Sequence, residues 1–134
     1  TGNKSVLSGV PKTLPALTKA MRIQEKVKGV GFDWENKEQV WEKVNEEISE
    51  LQYEIANANT EEMINEMGDV LFSLVNYSRF INVNPEEALE RTNKKFIARF
   101  QKMEVYIKND GKQIDQLSFE ELDSYWEKAK KNLS

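Results

Sequence analysis

The sequence predicts an all-α protein, a bundle of four to five helices, and three observations predict it. Apolar residues recur every three or four positions over five successive stretches, four of those stretches open on a helix-capping signal, and no segment alternates with period two for long enough to make a strand. At 134 residues the chain can bury one core and is short of the length at which cores usually split, so a single domain is expected.

Residues 1–15 carry Gly2, Gly9, Pro11 and Pro15 with few periodic apolar positions, and they read as an N-terminal arm or linker, partly disordered. From Ala16 the positions Leu17, Ala20, Met21, Ile23 and Val27 mark a first helix that Gly29-Val30-Gly31 ends. Asn36 with Gln39 has capping-box spacing and opens a second helix, whose apolar stripe runs Val40, Trp41, Val44, Ile48, Leu51 and Ile55. A third helix starts at Asn59 or Thr60, with Glu61 and Glu62 suited to its positive end. It continues through Met63, Ile64, Met67, Val70, Leu71, Leu74 and Val75 and is expected to be the most buried element.

Asn84-Pro85-Glu86-Glu87 opens a fourth helix, with Asn as cap and Pro in the first helical position. Leu89, Phe96, Phe100, Met103 and Ile107 should point inward until Asn109-Asp110-Gly111 breaks it. Ser118 and Glu121 form another capping box ahead of a shorter fifth helix through Leu122, Tyr125, Trp126 and Ala129. The short connections favour antiparallel neighbours, and so many large side chains on helices two and three favour a homodimer packed through helices.

Nineteen basic residues against 23 acidic ones leave a net charge of −4, which disfavours a nucleic-acid partner, and no apolar run is long enough to span a bilayer. The chain has no cysteine and no histidine, which removes disulfides, thiolate zinc sites, serine-histidine triads and imidazole ligands together. Catalysis would have to run on carboxylates, Lys, Arg, Tyr, hydroxyls or a hard metal. A cytoplasmic location is the expectation, and a first residue of Thr1 rather than Met leads us to expect a longer parent chain.

Glu47 and Glu50 stand three apart on the second helix, with Glu46 beside them, and Glu66 and Asp69 repeat that spacing on the third. An antiparallel register would gather four carboxylates, where like charges about 4 Å apart cost on the order of 4 kcal/mol per pair at an effective dielectric near 20. A bound cation relieves that cost. Oxygen-only ligands favour Mg²⁺, Mn²⁺ or Ca²⁺, and Mg²⁺ first because it keeps waters and pairs with substrate phosphates.

Acidic helix faces are ordinarily just solvated. Asp69 counts against that reading, because it sits with Gly68 inside an otherwise apolar helix where a charge is costly unless paired, and the glycine itself calls for a packing or site reason.

Arg91, Lys95 and Arg99, spaced by four on the fourth helix, form a cationic line suited to a triphosphate, with Glu87 and Glu90 as the ordinary alternative partners. Trp126 and Lys130 share a face of the fifth helix, where Trp126 taken alone reads more readily as core. Phe32 and Trp34 could stack a base or plug one end of the bundle.

The ordered set Arg22-Ile23-Gln24, Gly31-Phe32-Asp33-Trp34, Glu46-Glu47-x-x-Glu50, Glu66-x-Gly-Asp69-x-Leu-Phe, Asn84-Pro85-Glu86-Glu87-Ala88-Leu89 and Asn93-Lys94-Lys95-Phe96-x-x-Arg99-Phe100 resembles the MazG nucleotide pyrophosphohydrolases, over about residues 14–130. It most resembles the C-terminal catalytic copy of longer members. The resemblance implies the all-α NTP-pyrophosphatase fold over 16–134, a dimer, and Mg²⁺-dependent (or Mn²⁺-dependent) hydrolysis of NTPs or dNTPs to the monophosphate and pyrophosphate.

Carried over residue by residue, Glu47, Glu50, Glu66 and Asp69 are similar to the family's metal ligands. Lys95 and Arg99 resemble its triphosphate holders, with Trp126 and Lys130 as further contacts, and Glu46, the motif's first Glu, would either orient or deprotonate the attacking water or only tune the metal's surroundings. Asn65 departs from the pattern, since many members have a second Glu there. The competing readings are a non-enzymatic helical dimer or regulatory module, and a narrower dUTP- or dCTP-specific enzyme.

Overall fold

The computed structural model describes residues 4–132. Among them there are five α-helices: α1 (Ala16–Lys28), α2 (Lys37–Ala56), α3 (Thr60–Phe80), α4 (Pro85–Asn109) and α5 (Phe119–Lys131). No strand occurs among the described residues, and no helix there is long and apolar enough to cross a membrane. The chain's contacts fall into two compact units, Thr1–Glu86 and Glu87–Ser134, each with an interior of its own.

The helix ends form where local chemistry places them. Asn36 accepts from the backbone of Gln39 and the Gln39 side chain answers the cap, so the α2 capping box is reciprocal. Asn59 accepts from the backbone N–H of Glu62 at 3.2 Å to open α3. Helix α1 ends on a turn in which Phe32 N–H donates to the Val27 carbonyl at 3.0 Å, and Gly31 at φ 89° supplies the left-handed residue that this closure needs.

In the first unit α2 and α3 form an antiparallel hairpin. Trp41 near the start of α2 meets Tyr77 near the end of α3, with ring centroids 4.9 Å apart, and the middles of the two helices face each other at Glu47 and Asp69. Val40 and Val44 are fully buried, with Val70 and Val75 nearly so, and α1 lies against α3. The arm is more ordered than an open linker: Ser5 caps a 3-10 turn at Val6–Gly9, and Lys19 donates to the Lys12 carbonyl at 2.7 Å. The reading of the arm at Gly2 lies outside the described residues.

Helix α3 does not meet the expectation of deepest burial. Ile64, Met67, Leu71 and Leu74 are exposed, as are Trp41, Ile48 and Ile55 of α2, because periodicity fixes which face is apolar but not how much of it α1 and the facing helix cover.

The second unit is built on Met103, Ile107 and Ala129, with Phe100, Leu122 and Trp126 packed around them. Helix α4 closes through Gly111 at φ 71°, with Lys112 N–H donating to the Ile107 carbonyl at 3.1 Å. A 3-10 turn at Ile114–Gln116 leads to the reciprocal Ser118–Glu121 capping box of α5. Leu89 and Phe96, expected inside, are exposed.

Candidate functional site

The α2–α3 hairpin brings the acidic pairs together. One carboxylate oxygen from each of Glu47, Glu66 and Asp69 lies within 4.8 Å of the others, a spacing that suits a shared cation. Glu50, one turn further along α2, is outside that set but near enough to Glu66 for its carboxyl to raise the Glu66 pKa. All four carboxylates singled out by spacing therefore belong to one region of the first unit.

Their burial differs from expectation. Asp69 is exposed, Glu66 is half-buried, and it is Glu47, only 5% exposed, that carries the costly buried charge. Glu47 Oε1 accepts from Lys43 Nζ at 2.8 Å, whereas Glu47 Oε2 and Glu66 Oε2 are buried with no hydrogen-bond partner. An unpaired buried carboxylate oxygen is strongly disfavoured unless the charge is neutralised or a cation takes the lone pair.

Burial first, and then the Glu50 carboxyl, push Glu66 from an ordinary 4.5 up to about 7. Close to neutral pH the Glu66 carboxyl is therefore only partly ionised, which eases the repulsion among the carboxylates. An oxygen-only donor set with two orphaned buried oxygens fits a hard divalent cation.

Sequence reasoning missed Lys43, which lies 3.4 Å from Glu46 and 2.8 Å from Glu47 and bridges the two. Its hydrogen bond to Glu47 raises its pKa. The signal was available, since Lys43 stands four residues before Glu47 on a helix. With Trp34, Val40, Asp69, Phe72, Ser73 and Asn76, Lys43 and Glu47 line a cavity of about 360 Å³. Glu46 is exposed at its edge of α2.

Gly68 has open space around it, with nothing within 4 Å of where a Cβ would sit, so no packing within this chain explains it.

In the second unit Arg91 is held by Glu87 at 2.7 Å, the ordinary alternative for that residue. Lys95 is exposed and Arg99 half-buried, neither forms an ion pair among the described residues, and Arg99 Nε is buried without a partner. Trp126 packs on the unit's core, 5.0 Å from the Phe96 ring, while Lys130 is exposed.

Comparison with known proteins places this arrangement in a family. The profile of the MazG nucleotide pyrophosphohydrolase domain matches residues 35–103, which include all four carboxylates. The chain is 50% identical over 117 residues to the nucleoside triphosphate pyrophosphohydrolase/pyrophosphatase MazG of Thermotoga maritima, covering 87% of this chain and 45% of that protein. It is 36% identical over 129 residues to the nucleoside triphosphate pyrophosphohydrolase of Escherichia coli (strain K12), covering 95% of this chain and 49% of that protein. The chain thus spans about half the length of these curated relatives. With more than half of its residues matched by the domain profile, the chain belongs to the MazG nucleotide pyrophosphohydrolase domain family.

Proposed function

We propose that this chain hydrolyses nucleoside triphosphates, ribo or deoxyribo, to the monophosphate and pyrophosphate with Mg²⁺ (Mn²⁺ as a substitute) held by Glu47, Glu50, Glu66 and Asp69. The observation that carries the reading is the pair of buried, unpartnered oxygens on Glu47 and Glu66 within one three-carboxylate set. The names of the relatives support the reaction, and family membership supports its extension to this chain.

A divalent cation in such a set supplies positive charge at the phosphates and a more acidic water. The chain's own groups do the rest. Water attacks the α-phosphorus, the α–β anhydride bond breaks, and the bridging oxygen leaves with pyrophosphate. Glu46 accepts the water's proton, and Lys43 holds Glu46 and Glu47 in place through its two contacts. Lys95 and Arg99 are the cations we assign to the β- and γ-phosphates, with Trp126 and Lys130 as further substrate contacts. We assign both compact units to the single catalytic domain, since the aligned relatives extend over 87% and 95% of this chain.

A homodimer is part of the same reading. Ile64, Met67 and Leu71 repeat along one exposed side of α3 around Gly68, where open space would let a second copy approach closely.

The test is a product assay with Mg²⁺ across the standard NTPs and dNTPs. Monophosphate plus pyrophosphate is expected, and diphosphate plus orthophosphate would contradict the assignment.

A further inference from the structure

Helix α3 presents Asp69, Phe72, Ser73 and Asn76 to the cavity of about 360 Å³ beside the carboxylates, as their spacing by three and four residues dictates. They form one stripe. Ser73 is engaged within the helix, since its hydroxyl donates to the Val70 carbonyl at 2.8 Å. Asn76 is the side chain of this stripe with a donor still to offer.

The Asn76 amide has a fixed orientation. Arg79 stands three residues further along α3, and its Nη2 lies 2.6 Å from Asn76 Oδ1. A guanidinium has donors and no acceptor, so the amide must turn its oxygen to Arg79 and its NH2 group away. Nδ2 has no hydrogen-bond partner among the described residues and, unlike Arg79 Nε, is not enclosed by packing. A half-buried donor left unpaired at a cavity wall suits a ligand that brings an acceptor.

Arg79 is itself held. Its Nη1 and Nη2 donate to the two Asp33 oxygens at 2.9 and 2.6 Å, and the pair is shielded, with side chains 14% and 18% exposed. The guanidinium therefore cannot swing away from Asn76 without giving up a paired, charge-assisted contact. Trp34, the residue after Asp33, lines the same cavity, so one guanidinium steadies two parts of its wall.

We propose that the Asn76 NH2 group donates to a non-bridging oxygen of the α-phosphoryl group, and that Arg79 is the positioning residue that aims it. The inference rests on the hydrolase reading, in which the α-phosphorus lies in the carboxylate cavity for water to reach it. Nearby carboxylates repel the phosphoryl oxygens, and negative charge accumulates on those oxygens as water adds. A fixed donor offsets both effects.

The test measures kcat and KM with Mg²⁺ for ATP and for the two diastereomers of its α-thio analogue, in which sulfur replaces one non-bridging oxygen and accepts hydrogen bonds poorly. Wild type, Asn76→Leu, Arg79→Met and Asp33→Asn are compared in the full chain. Asn76→Leu should lose about tenfold or more in kcat/KM for ATP, as expected for one hydrogen bond to a charged oxygen. The extra penalty on the diastereomer whose sulfur meets Asn76 should vanish in it. Arg79→Met should shrink that same penalty, whereas a merely destabilised fold would slow both diastereomers alike. Asp33→Asn keeps the guanidinium but loosens its anchor, and it should shrink the penalty too, which decides the role of Arg79 even if Arg79→Met does not fold. Asn76→Leu leaves both Arg79–Asp33 bonds in place.

In parallel, the Asn76 side-chain amide resonance of the isotope-labelled protein, assigned by its absence in Asn76→Leu, should shift when adenosine 5′-monophosphate is added with Mg²⁺ and not when adenosine is. Asn76→Leu within about twofold of wild type on ATP, or an amide resonance that ignores the monophosphate or responds equally to adenosine, overturns the contact. Thio penalties unchanged in both Arg79→Met and Asp33→Asn overturn the role of Arg79. Failure of the wild type to release pyrophosphate would instead remove the hydrolase assignment, and the amide resonance would still decide whether Asn76 meets a phosphate.

Discussion

Glu47 and Glu66 stand on opposite helices of one hairpin, each has a buried carboxylate oxygen with no hydrogen-bond partner, and each brings an oxygen within 4.8 Å of the other. Two such oxygens side by side are stable only with a cation or a proton between them. Glu47→Gln and Glu66→Gln should therefore each abolish Mg²⁺-dependent turnover, by about 100-fold or more, since even an outer-sphere partner of a metal is worth 10–100-fold. Glu66→Gln should keep the melting temperature of the metal-free wild type or raise it, because it removes a half-buried charge with no ion-pair partner, whereas Glu47→Gln also gives up the 2.8 Å ion pair with Lys43 and should lower it. Turnover within a few-fold of wild type would show that these carboxylates do not act on the substrate's metal.

The proton on Glu66 makes metal-free stability fall with pH. Its carboxyl is raised in the folded state from 4.5 to about 7, so between those values the folded chain binds more protons than the unfolded one. The stability this proton confers is complete below 4.5 and lost as pH rises through about 7. Urea midpoints from pH 4.5 to 7.5 should fall more steeply in wild type than in Glu66→Gln, and Mg²⁺ should restore the wild type at the upper end. Identical pH profiles for the two proteins would contradict the shift.

Asp33 and Arg79 tie the loop that carries Trp34 to α3 by two parallel bonds, with side chains only 18% and 14% exposed. Asp33→Ala should cost about 1.5–3 kcal/mol in chemical denaturation, the range for charge-assisted bonds. Arg79→Lys should not preserve the link, because a lysine cannot make the paired contact. The hydrogen bond from Arg79 holds the Asp33 carboxyl below its usual value. Its stabilisation is therefore present above the unfolded pKa near 3.8 and fades only as pH drops through the lower folded value.

The uncovered side of α3 bears on assembly. Leu71→Glu, at a position 54% exposed in the single chain, should leave helicity intact and convert a dimer to a monomer by analytical ultracentrifugation. Gly68→Leu should do the same if the two copies meet closely at that residue. A wild type that sediments as a monomer at micromolar concentration would remove the dimer from the account.

Much of the architecture was legible because its determinants are local. The Asn36–Gln39 and Ser118–Glu121 boxes and the Asn59 cap each act within four residues, so spacing alone places them. The acidic pairs were legible for a related reason: a three-residue connection, 57–59, between α2 and α3 leaves little choice but an antiparallel hairpin. Burial was less accessible. Spacing pointed to Asp69 as the costly charge, but depth depends on which neighbour covers a side chain, and the covered one is Glu47.

The same reason hid Arg79, whose importance lies in its paired bonds to Asp33, 46 residues away in the sequence. It also misplaced Leu89 and Phe96, the second exposed despite its ring contact with Trp126, and left Gly68 without a packing role among the described residues.

The most direct measurement is a titration of the metal-free chain with Mn²⁺, followed by the loss of the free-ion electron paramagnetic resonance signal, in wild type and in Glu66→Gln. A saturable site in wild type that disappears in the variant is the predicted result. Equal binding by both proteins, or none by the wild type, would contradict a metal centre built on the α2–α3 carboxylates.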